Sequence, residues 1–333
     1  MSSNCVEHVM KYFVTGGTGF IGSHLIRRLV DQDHEVIAIA RTPESAPTSP
    51  EAVNIVQGDV TDKESMREAM TGCDRVFHVA GWYQVGVDDP TTAFRVNVEG
   101  TRNVLELMAE LDIERGVYTS TVAVFSDTDS NVVDESYRYD GPHLSIYDRT
   151  KWQAHYEVAE PMIEAGLPLV IVQPGAVYGP GDRGPIWALW KAYLQEDLPF
   201  VPRRAGYCFG HVEDTVDGHL LAMDDGTIGE AYVIAGEPYS LVEVFELAEE
   251  ITGINAPRSI SPIVFRALSR LVEPLERAYR FPAEYSSETL RILGGVTYWA
   301  DNSKASQALG LDHRPFRDGL GETLEAEVAS LEG

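Results

Sequence analysis

The sequence predicts an α/β protein in which helices cover both faces of a parallel sheet, with a smaller and mainly helical C-terminal lobe. Two observations support this fold class. Short apolar runs alternate with amphipathic helical segments over the first half of the chain, as is typical of parallel strands buried on both faces. A glycine-rich loop also joins the first apolar run to the first helical segment, as in doubly wound Rossmann-type sheets.

The individual elements follow from the spacing of apolar residues. The predicted strands are residues 12–15, 36–40, 53–56, 75–79, 117–119 and 169–172. The predicted helices are residues 20–31, 62–70, 90–111 and 147–164. Asp62 stands at the start of the second helix, where a negative charge is favourable.

The alternation breaks after Pro174, where the second lobe is predicted to begin. Residues 186–206 read as a helix and a loop that leave the sheet, and 207–212 and 232–235 read as strands. Beyond these, the chain is mainly helical, with breaks predicted at Pro257, Pro274, Pro282 and Pro315. The predicted division is a core of residues 11–175, to which 207–235 return, and a lobe of residues 176–206 and 236–330, with a cleft between them.

The chain of 333 residues is strongly acidic, with 52 Asp and Glu residues against 26 Lys and Arg residues and a formal net charge of −26. This balance argues against nucleic acid or a membrane as a partner, because binding to phosphates requires clustered basic side chains. Only five of the basic residues are lysines. Acidic surfaces with scarce lysine occur in proteins from a high-salt cytoplasm, where salt screens the self-repulsion, and a GC-rich genome that exchanges lysine for arginine is an equal alternative.

The sequence shows no signal for export or membrane insertion. We expect no signal peptide, because the first ten residues contain no apolar core, and no membrane span, because no apolar run approaches 18 residues. Cys5, Cys73 and Cys208 are widely spaced and form no C-x-x-C pair, which suits a reducing compartment. We therefore expect a cytoplasmic protein.

Gly16, Gly19 and Gly22 lie between a predicted strand and a predicted helix, at the spacing of a dinucleotide-binding loop. Gly16 permits a tight turn, Gly19 removes the Cβ that would block a pyrophosphate, and Gly22 allows the helix to pack closely. The N-terminus of the helix then faces the diphosphate. The alternative is a tight turn without a ligand, and the loop does not identify the reaction.

Two charged residues follow the next strands and bear on the choice of cofactor. Arg41 occupies the end of the second strand, where an NAD enzyme usually carries an acid for the ribose 2′-hydroxyl. A guanidinium can instead pair with a 2′-phosphate, which favours NADP over NAD, although a solvated loop arginine is the alternative. Asp59 follows the third strand and could accept from the adenine amino group or cap a helix.

Tyr147 and Lys151 are one helical turn apart, so their side chains lie on one face of a helix. An ammonium near a phenol favours the phenolate, and we expect it to lower the pKa of Tyr147 towards neutrality. Tyr147 would then serve as the general acid or base for a carbonyl oxygen. Thr121, beyond the fifth strand, offers a hydroxyl for the same oxygen, with Ser120 as its rival.

With these residues in place, the chain resembles the extended short-chain dehydrogenase/reductases over nearly its whole length, most closely the dihydroflavonol-reductase-like branch and proteins of the NAD-dependent epimerase/dehydratase type. The matching segments are 14–22, 58–60, 78–81, 97–101, 119–121, 147–151, 174–180 and 211–214. The resemblance implies a catalytic triad of Thr121, Tyr147 and Lys151. It also implies that Phe20, Ile21, Arg41, Asp59, Val60, Ala80 and Pro174 lie along the cofactor. Tyr147 and Lys151 are expected to contact the cofactor as well, and Lys151 could hold the nicotinamide ribose.

Two departures from the family pattern argue against a nucleotide sugar as the substrate without excluding it. Tyr207 stands where nucleotide-sugar enzymes often carry an arginine for the substrate diphosphate, and only small residues follow Pro174 where they often carry an asparagine. Arg203 and Arg204, just upstream, could compensate if the lobe turns them inward.

Other polar and aromatic residues are given structural roles or left open. We expect structural roles for His211 and Asp214, and no metal site, because His78 and His155 lack a second ligand at metal spacing. Four aromatic residues could line an apolar pocket, although core packing is expected for at least two of them: Trp82, Tyr83, Trp187 and Trp190.

These patterns favour a reductase or alcohol dehydrogenase that prefers NADP over NAD and transfers a hydride between the nicotinamide and a small-molecule carbonyl or alcohol. A nucleotide-sugar epimerase or dehydratase is the first alternative, and a non-catalytic dinucleotide sensor is the second. The intact set of Thr121, Tyr147 and Lys151 argues against a sensor. We expect a small molecule as the partner and consider a homodimer as the assembly.

Overall fold

The structure is a computed structural model that describes residues 9–45, 53–84, 89–276, 279, 287–292 and 294–332. Its centre is a seven-stranded parallel sheet, which confirms the predicted fold class. The strands, in spatial order across the sheet, are β10 (Ala231–Val233), β6 (Leu169–Gln173), β5 (Arg115–Thr119), β4 (Arg75–His78), β1 (Lys11–Thr15), β2 (Glu35–Ala40) and β3 (Val53–Gln57).

Helices cover both faces of this sheet because its strands are apolar on both sides. One face packs against α1 (Phe20–Asp31) and α6 (Val212–Asp224), with Leu25, Leu29 and Val216 in the shared core. The other face packs against α2 (Lys63–Met70) and two long helical segments, α3 (residues 91–110) and α4 (residues 146–164). The two long segments each contain a π-helical stretch, Arg95–Glu99 and Ala154–Ala159.

The order of the strands reverses at β1, whose neighbours are β2 on one side and β4 on the other. The chain therefore leaves the carboxyl ends of β1 and β4 in opposite directions and opens a crevice between the two connections. In open parallel sheets, ligands bind at this switch point. The glycine loop follows β1 and the segment beginning at Val79 follows β4, so both line the crevice.

The remaining strands form two smaller sheets outside the central one. The first joins β7 (Ala176–Tyr178), β9 (Gly206–His211), β11 (Pro238–Ser240) and β13 (Thr297–Tyr298), and the second pairs β8 (Phe200–Pro202) with β12 (Arg258–Ile260). The helices of this region are α5 (Pro185–Leu194), α7 (Leu241–Thr252), α8 (Pro262–Glu276), α9 (Ser287–Ile292), α10 (Ser303–Leu309) and α11 (Phe316–Glu332). Among them, α10 packs back onto the core beside α6.

Three details differ from the sequence expectations or lie beyond them. Within 207–235, the part that returns to the central sheet is α6 and β10, whereas β9 pairs in the small sheet because its neighbours are β7 and β11. Pro274 does not break a helix, because it lies exposed in the last turn of α8, where a proline interrupts little hydrogen bonding. The break predicted at Pro282 falls outside the described residues. None of the helices that are described is long and apolar enough to cross a membrane.

Candidate active site

The glycine loop begins where β1 ends, and its backbone geometry explains two of its glycines. Gly16 has a φ of 72°, and a Cβ there would lie 2.7 Å from the backbone nitrogen of Ala80. A side chain at Gly22 would overlap the carbonyl of Gly16, so this glycine allows α1 to pack against the loop itself. Gly19 is the N-cap of α1, and no side chain caps this helix end. The first N–H groups of α1 therefore remain for an anion.

A cleft of about 570 Å³ opens in front of this loop. Its volume lies within the range of pockets that hold cofactors and other small ligands. Residues from the loop, from the ends of the neighbouring strands and from the segment after β4 line it: Gly16, Thr18, Gly19, Phe20, Ile21, Gly22, Ile39, Ala40, Arg41, Gly58, Asp59, Val60, Val79, Ala80, Gly81, Trp82, Tyr83, Val96 and Val177. All the predicted cofactor residues are among them except Tyr147, Lys151 and Pro174.

Arg41 and Asp59 lie at the end of the cleft formed by β2 and β3. Arg41 is exposed and forms no ion pair with any described residue, so its guanidinium is available to a ligand. Asp59 accepts a hydrogen bond from the backbone nitrogen of Thr61 at 2.9 Å through one carboxylate oxygen. It does not cap α2, whose N-cap is Asp62. Contacts of Arg41 and Asp59 with a cofactor stay predictions.

Thr121 and Tyr147 meet beyond the carboxyl end of β5. Thr121 opens a short 3-10 turn, in which its Oγ1 accepts from the backbone nitrogen of Ala123 at 3.2 Å. The Tyr147 hydroxyl also hydrogen-bonds the Thr121 side chain. Ser120 instead bonds His155 Nδ1 at 2.8 Å. The geometry therefore joins Thr121, and not Ser120, to Tyr147.

Lys151 does not act on Tyr147 as the sequence led us to expect. Its Nζ donates to the Tyr118 hydroxyl at 3.1 Å and to the Thr119 carbonyl at 2.8 Å, and no described contact joins it to the Tyr147 hydroxyl. Burial raises the pKa of Tyr147, and only the hydrogen bond with Thr121 opposes this. The expectation of a lowered pKa was therefore wrong for this structure, and Tyr147 is a phenol that can donate a proton. Burial also lowers the pKa of Lys151 to about 7.

Lys151 is the first member of a buried chain of polar side chains beneath the cleft. Tyr118 also hydrogen-bonds Thr101, whose Oγ1 lies 3.0 Å from His78 Nε2. His78 Nδ1 in turn lies 2.7 Å from Thr15 Oγ1, at the start of the glycine loop. Burial lowers the pKa of His78 to about 3, so this histidine is neutral. The chain ties the lysine to the loop and gives His78 a structural role.

A second buried network holds the first turn of α4. Ser145 caps the helix through a bond from the backbone nitrogen of Asp148 and donates its own hydroxyl to Asp148 Oδ1 at 2.7 Å. The hydroxyl of Tyr298, on β13, lies 3.0 Å from Asp148 Oδ2. Asp148 is 2% exposed and follows Tyr147 directly, so a residue of the C-terminal region helps to fix the turn that carries the phenol.

Aromatic side chains surround Tyr147 on the open side. The ring of Tyr83 packs edge-on against the ring of Tyr147, with centroids 4.6 Å apart. Tyr207 stacks on Tyr298 at 5.8 Å, and no described residue hydrogen-bonds the Tyr207 hydroxyl. The space between the cleft and the C-terminal region is therefore lined by phenols.

The four aromatic residues singled out in the sequence divide equally between cleft and packing. Trp82 and Tyr83 line the cleft. Trp190 is buried in a hydrophobic core cluster, and Trp187 donates its indole N–H to Glu327 at 2.6 Å.

The basic side chains that could compensate for Tyr207 point elsewhere. Arg203 is exposed, and Arg204 pairs with Asp129 at the surface. Neither lines the cleft. In the described ranges, no group of three or more His, Cys, Asp and Glu residues could hold a metal ion.

The remaining predicted residues have structural partners. Asp214 accepts from Arg314 Nε at 2.9 Å, and His211 caps α6. Pro174 follows β6, and its carbonyl accepts from Val122 at 3.0 Å, which places it beside the Thr121 turn. Sequence reasoning missed Tyr118, Asp148 and Tyr298. Only Asp148, the neighbour of Tyr147, carried a signal that could have been used.

Comparison with known proteins agrees with this geometry. The model of the NAD dependent epimerase/dehydratase family matches residues 12–235. A Synechocystis protein named after dihydroflavonol 4-reductase is 32% identical, and the alignment covers 94% of this chain and 93% of that protein. The sterol demethylase protein B of Methylococcus capsulatus is 30% identical, with 91% and 93% covered.

A solved structure of MoeE5 with UDP-glucose and NAD superposes with a TM-score of 0.74. It is 26% identical in sequence, and 96% of this chain and 99% of that chain are covered. The comparisons thus include proteins with reductase names and a structure with a bound nucleotide sugar.

Proposed function

The chain belongs to the NAD-dependent epimerase/dehydratase family, and we propose that within it the protein is a reductase that prefers NADP and acts on an uncharged carbonyl compound. Family membership makes it an NAD(P)-dependent enzyme of the extended short-chain dehydrogenase/reductase type. The observation that carries the finer proposal is a protonated, half-buried Tyr147 held by Thr121 and surrounded by phenols. Among the described residues, no cation lies beside Tyr147 and Tyr207 to receive a substrate diphosphate.

The residues present fit a dinucleotide. The close approach of Gly16 to Ala80 leaves no room for a side chain, and the uncapped N-terminus of α1 presents N–H groups to the cleft. When bound there, a nicotinamide would supply or accept the hydride. The glycine loop would hold the diphosphate, and Arg41 would meet a 2′-phosphate with a charge-assisted hydrogen bond.

The chain's own residues supply the proton and hold the substrate oxygen. The hydroxyl groups of Thr121 and Tyr147 lie together beyond β5. A carbonyl oxygen bound beside them would replace their mutual hydrogen bond and accept from both. As negative charge develops on that oxygen, the Tyr147 phenol donates its proton. The raised pKa of Tyr147 keeps the phenol protonated at neutral pH, which suits the direction of reduction. In the reverse direction the phenol must first lose this proton.

Lys151 lies beneath Thr121 and Tyr147 and does not take part in the proton transfer. Its bonds to Tyr118 and the Thr119 carbonyl place its ammonium under the end of β5, where it can meet the ribose of the cofactor. Because burial brings its pKa to about 7, the lysine changes charge near neutral pH. We assign it a role in holding the cofactor and in fixing the Tyr118 side chain.

A nucleotide-sugar epimerase or dehydratase is the second candidate, favoured by the MoeE5 structure with UDP-glucose and NAD. A sugar nucleotide brings a doubly charged diphosphate, whose contacts with charged donors are roughly twice as strong as neutral hydrogen bonds. Tyr207 offers at most one neutral hydrogen bond, worth about 1 kcal/mol net. Because Arg203 and Arg204 point to the surface, the described residues supply no replacement cation.

Calorimetric titration separates the two candidates. We expect UDP-glucose, UDP-galactose and dTDP-glucose to bind with dissociation constants of roughly 1 mM or weaker. The reason is that no charged side chain among the described residues would contact the diphosphate. NADPH should bind far more tightly in a parallel titration, which shows that the protein is folded and able to bind its cofactor. Micromolar binding of a nucleotide sugar that is lost in Arg203→Ala or Arg204→Ala would favour the epimerase instead.

A further inference from the structure

Helix α8 (Pro262–Glu276) presents its apolar side to solvent. Its one fully buried residue is Ser269, whose hydroxyl donates to the Ser287 carbonyl at 2.8 Å, and Glu276 accepts from the Ser287 backbone at 2.7 Å. The side that packs on the protein is therefore partly polar. A surface helix of a soluble protein normally has the opposite arrangement, with the apolar side inward.

The outward side forms a continuous apolar stripe, here called the α8 stripe. Its large side chains are 43–73% exposed: Ile263, Val264, Leu268, Leu271, Leu275 and Tyr279. Because the residues from Val264 onward are spaced three or four apart, they lie on one side of the helix, with Tyr279 just beyond its end. Isolated exposed apolar residues need no explanation, but a contiguous stripe of this size marks a surface that another body covers.

The stripe is flanked by positive charge, in contrast to the rest of the molecule. Residues 258–280 of the sequence contain five arginines and two glutamates, whereas the whole chain has a net charge of −26. Arg258, Arg266 and Arg270 are exposed, and so is Arg203, which donates its backbone N–H to the Ile260 carbonyl beside α8. None of these four forms an ion pair with a described carboxylate. Such unpaired cations beside an apolar stripe are complementary to an anionic apolar surface.

A second copy of this chain is a poorer occupant. A two-fold contact sets the same patch of both subunits against itself, so each arginine cluster would face its copy. Like charges at an interface oppose association. The strongly acidic remainder of a second copy could meet the arginines, but the apolar stripe would then lack an apolar partner.

We propose that the α8 stripe docks the protein on the surface of an anionic lipid bilayer, with α8 parallel to the membrane plane. The net charge of −26 argues against a membrane partner for the chain as a whole, but the local charge beside α8 is positive. A helix with apolar and basic sides lies in the interface, and its apolar side enters the boundary between headgroups and acyl chains. At 15 residues, α8 is about 22 Å long and too short to span a bilayer. At 0.1 M salt, repulsion between the bilayer and carboxylates that lie farther away than a Debye length of about 10 Å is largely screened.

Helix α8 is linked to the candidate active site through residues 294–298. Arg266 Nε donates to the Gly294 carbonyl at 2.9 Å, and a Cβ at Gly295 would lie 2.9 Å from Pro262. Gly295 is three residues before Tyr298, which contacts the turn of Tyr147. If the proposed function holds, an apolar carbonyl dissolved in the bilayer would thus have a short path to the phenol. This path rests on the proposed function, whereas membrane docking itself does not.

Flotation with lipid vesicles tests the docking without any substrate. The probes are vesicles of equal parts phosphatidylglycerol and phosphatidylcholine, and vesicles of phosphatidylcholine alone, in about 0.1 M sodium chloride. We expect the full-length wild type to float with the anionic vesicles and much less with the neutral ones. The double variant Leu268→Glu, Leu271→Glu should lose about a hundredfold in partition coefficient, since each leucine is worth about tenfold. Arg258→Gln with Arg270→Gln should lose about 25-fold, at about fivefold per arginine.

A matched control carries the same change elsewhere. Val9 and Ile228 precede β1 and β10 at the amino edge of the central sheet and are also about half exposed, so Val9→Glu with Ile228→Glu adds the same charge outside α8 and should still float. NADPH binding by the α8 variants shows that they are folded. The proposal fails if the wild type stays with the soluble fraction, or if the control variant loses binding equally. It also fails if light scattering shows a dimer that Leu268→Glu, Leu271→Glu converts to a monomer, because a second copy then covers the stripe.

Discussion

Replacing Tyr147 by phenylalanine removes one hydroxyl from the centre of the site and leaves the rest of the side chain in place. The ring still packs edge-on against Tyr83 with centroids 4.6 Å apart, so no cavity forms. The hydroxyl bonds Thr121, whose Oγ1 keeps its bond from Ala123, so the loss of stability should be about 1 kcal/mol. The effect on catalysis should be larger.

We expect Tyr147→Phe to lower turnover by roughly 10²–10⁴, the contribution of a positioned general acid. This corresponds to about 2.7–5.5 kcal/mol of transition-state stabilisation. Initial rates of NADPH consumption with a carbonyl substrate measure it, and NADPH fluorescence titration should show unchanged cofactor binding. A variant that loses both turnover and NADPH binding has a folding defect and would not support the assignment.

Tyr156 provides the matched control. It lies further along α4, and its hydroxyl bonds the Tyr137 carbonyl at 3.4 Å, away from the cleft. Tyr156→Phe removes the same atom from the same helical segment and should leave turnover within about twofold, the scale of the change expected for a surface substitution. Near-normal turnover in Tyr147→Phe, or an equal loss in both variants, would refute the mechanism.

Four further predictions rest on other features. Arg41→Ala should reduce the NADP/NAD binding ratio by at least about tenfold, the lower limit for a charged hydrogen bond, and an unchanged ratio in competitive binding would make Arg41 a surface residue only. Asp148→Asn removes a negative charge that contributes to the raised pKa of Tyr147, so the pH profile of alcohol oxidation should move to lower pH. Burial lowers the pKa of Lys151, so the folded state gains stability as pH rises above about 7, and Lys151→Met should raise the melting temperature at pH 6 while turnover falls. For the net charge of −26, the melting temperature should rise with sodium chloride between about 0.1 and 1 M, and a flat curve would leave the acidic composition unexplained.

The central sheet could be predicted from the sequence because each strand and helix carries its own local pattern. Every strand of this sheet overlaps a predicted apolar run, and the glycine loop falls between β1 and α1 as expected. In the small sheet only β9 overlaps a predicted strand, because the other three strands are two or three residues long and pair with β9 across large separations in sequence. Strand β13 has only Thr297 and Tyr298, which no periodicity can mark.

The candidate site also contains a part that the sequence could predict and a part that it could not. Tyr147 and Lys151 were found because one helical turn separates them, which is a local relation. The network of Asp148 with Tyr298 joins residues 150 positions apart, and no local pattern encodes it. The direction of the Tyr147 pKa could not be predicted either, because it depends on how deeply the folded chain buries the phenol and on where Lys151 directs its ammonium.

The most direct test of the account follows a deuterium label from the cofactor. The protein is incubated with NADPH that carries deuterium at both positions of C4 of the nicotinamide, together with a panel of uncharged aromatic and aliphatic carbonyl compounds. A parallel panel contains UDP-glucose, UDP-galactose and dTDP-glucose with NAD. We expect an alcohol that carries the deuterium, formed with one NADPH consumed per product, and no conversion of the nucleotide sugars. Conversion of a nucleotide sugar with the cofactor recovered unchanged, and no carbonyl reduced, would contradict it.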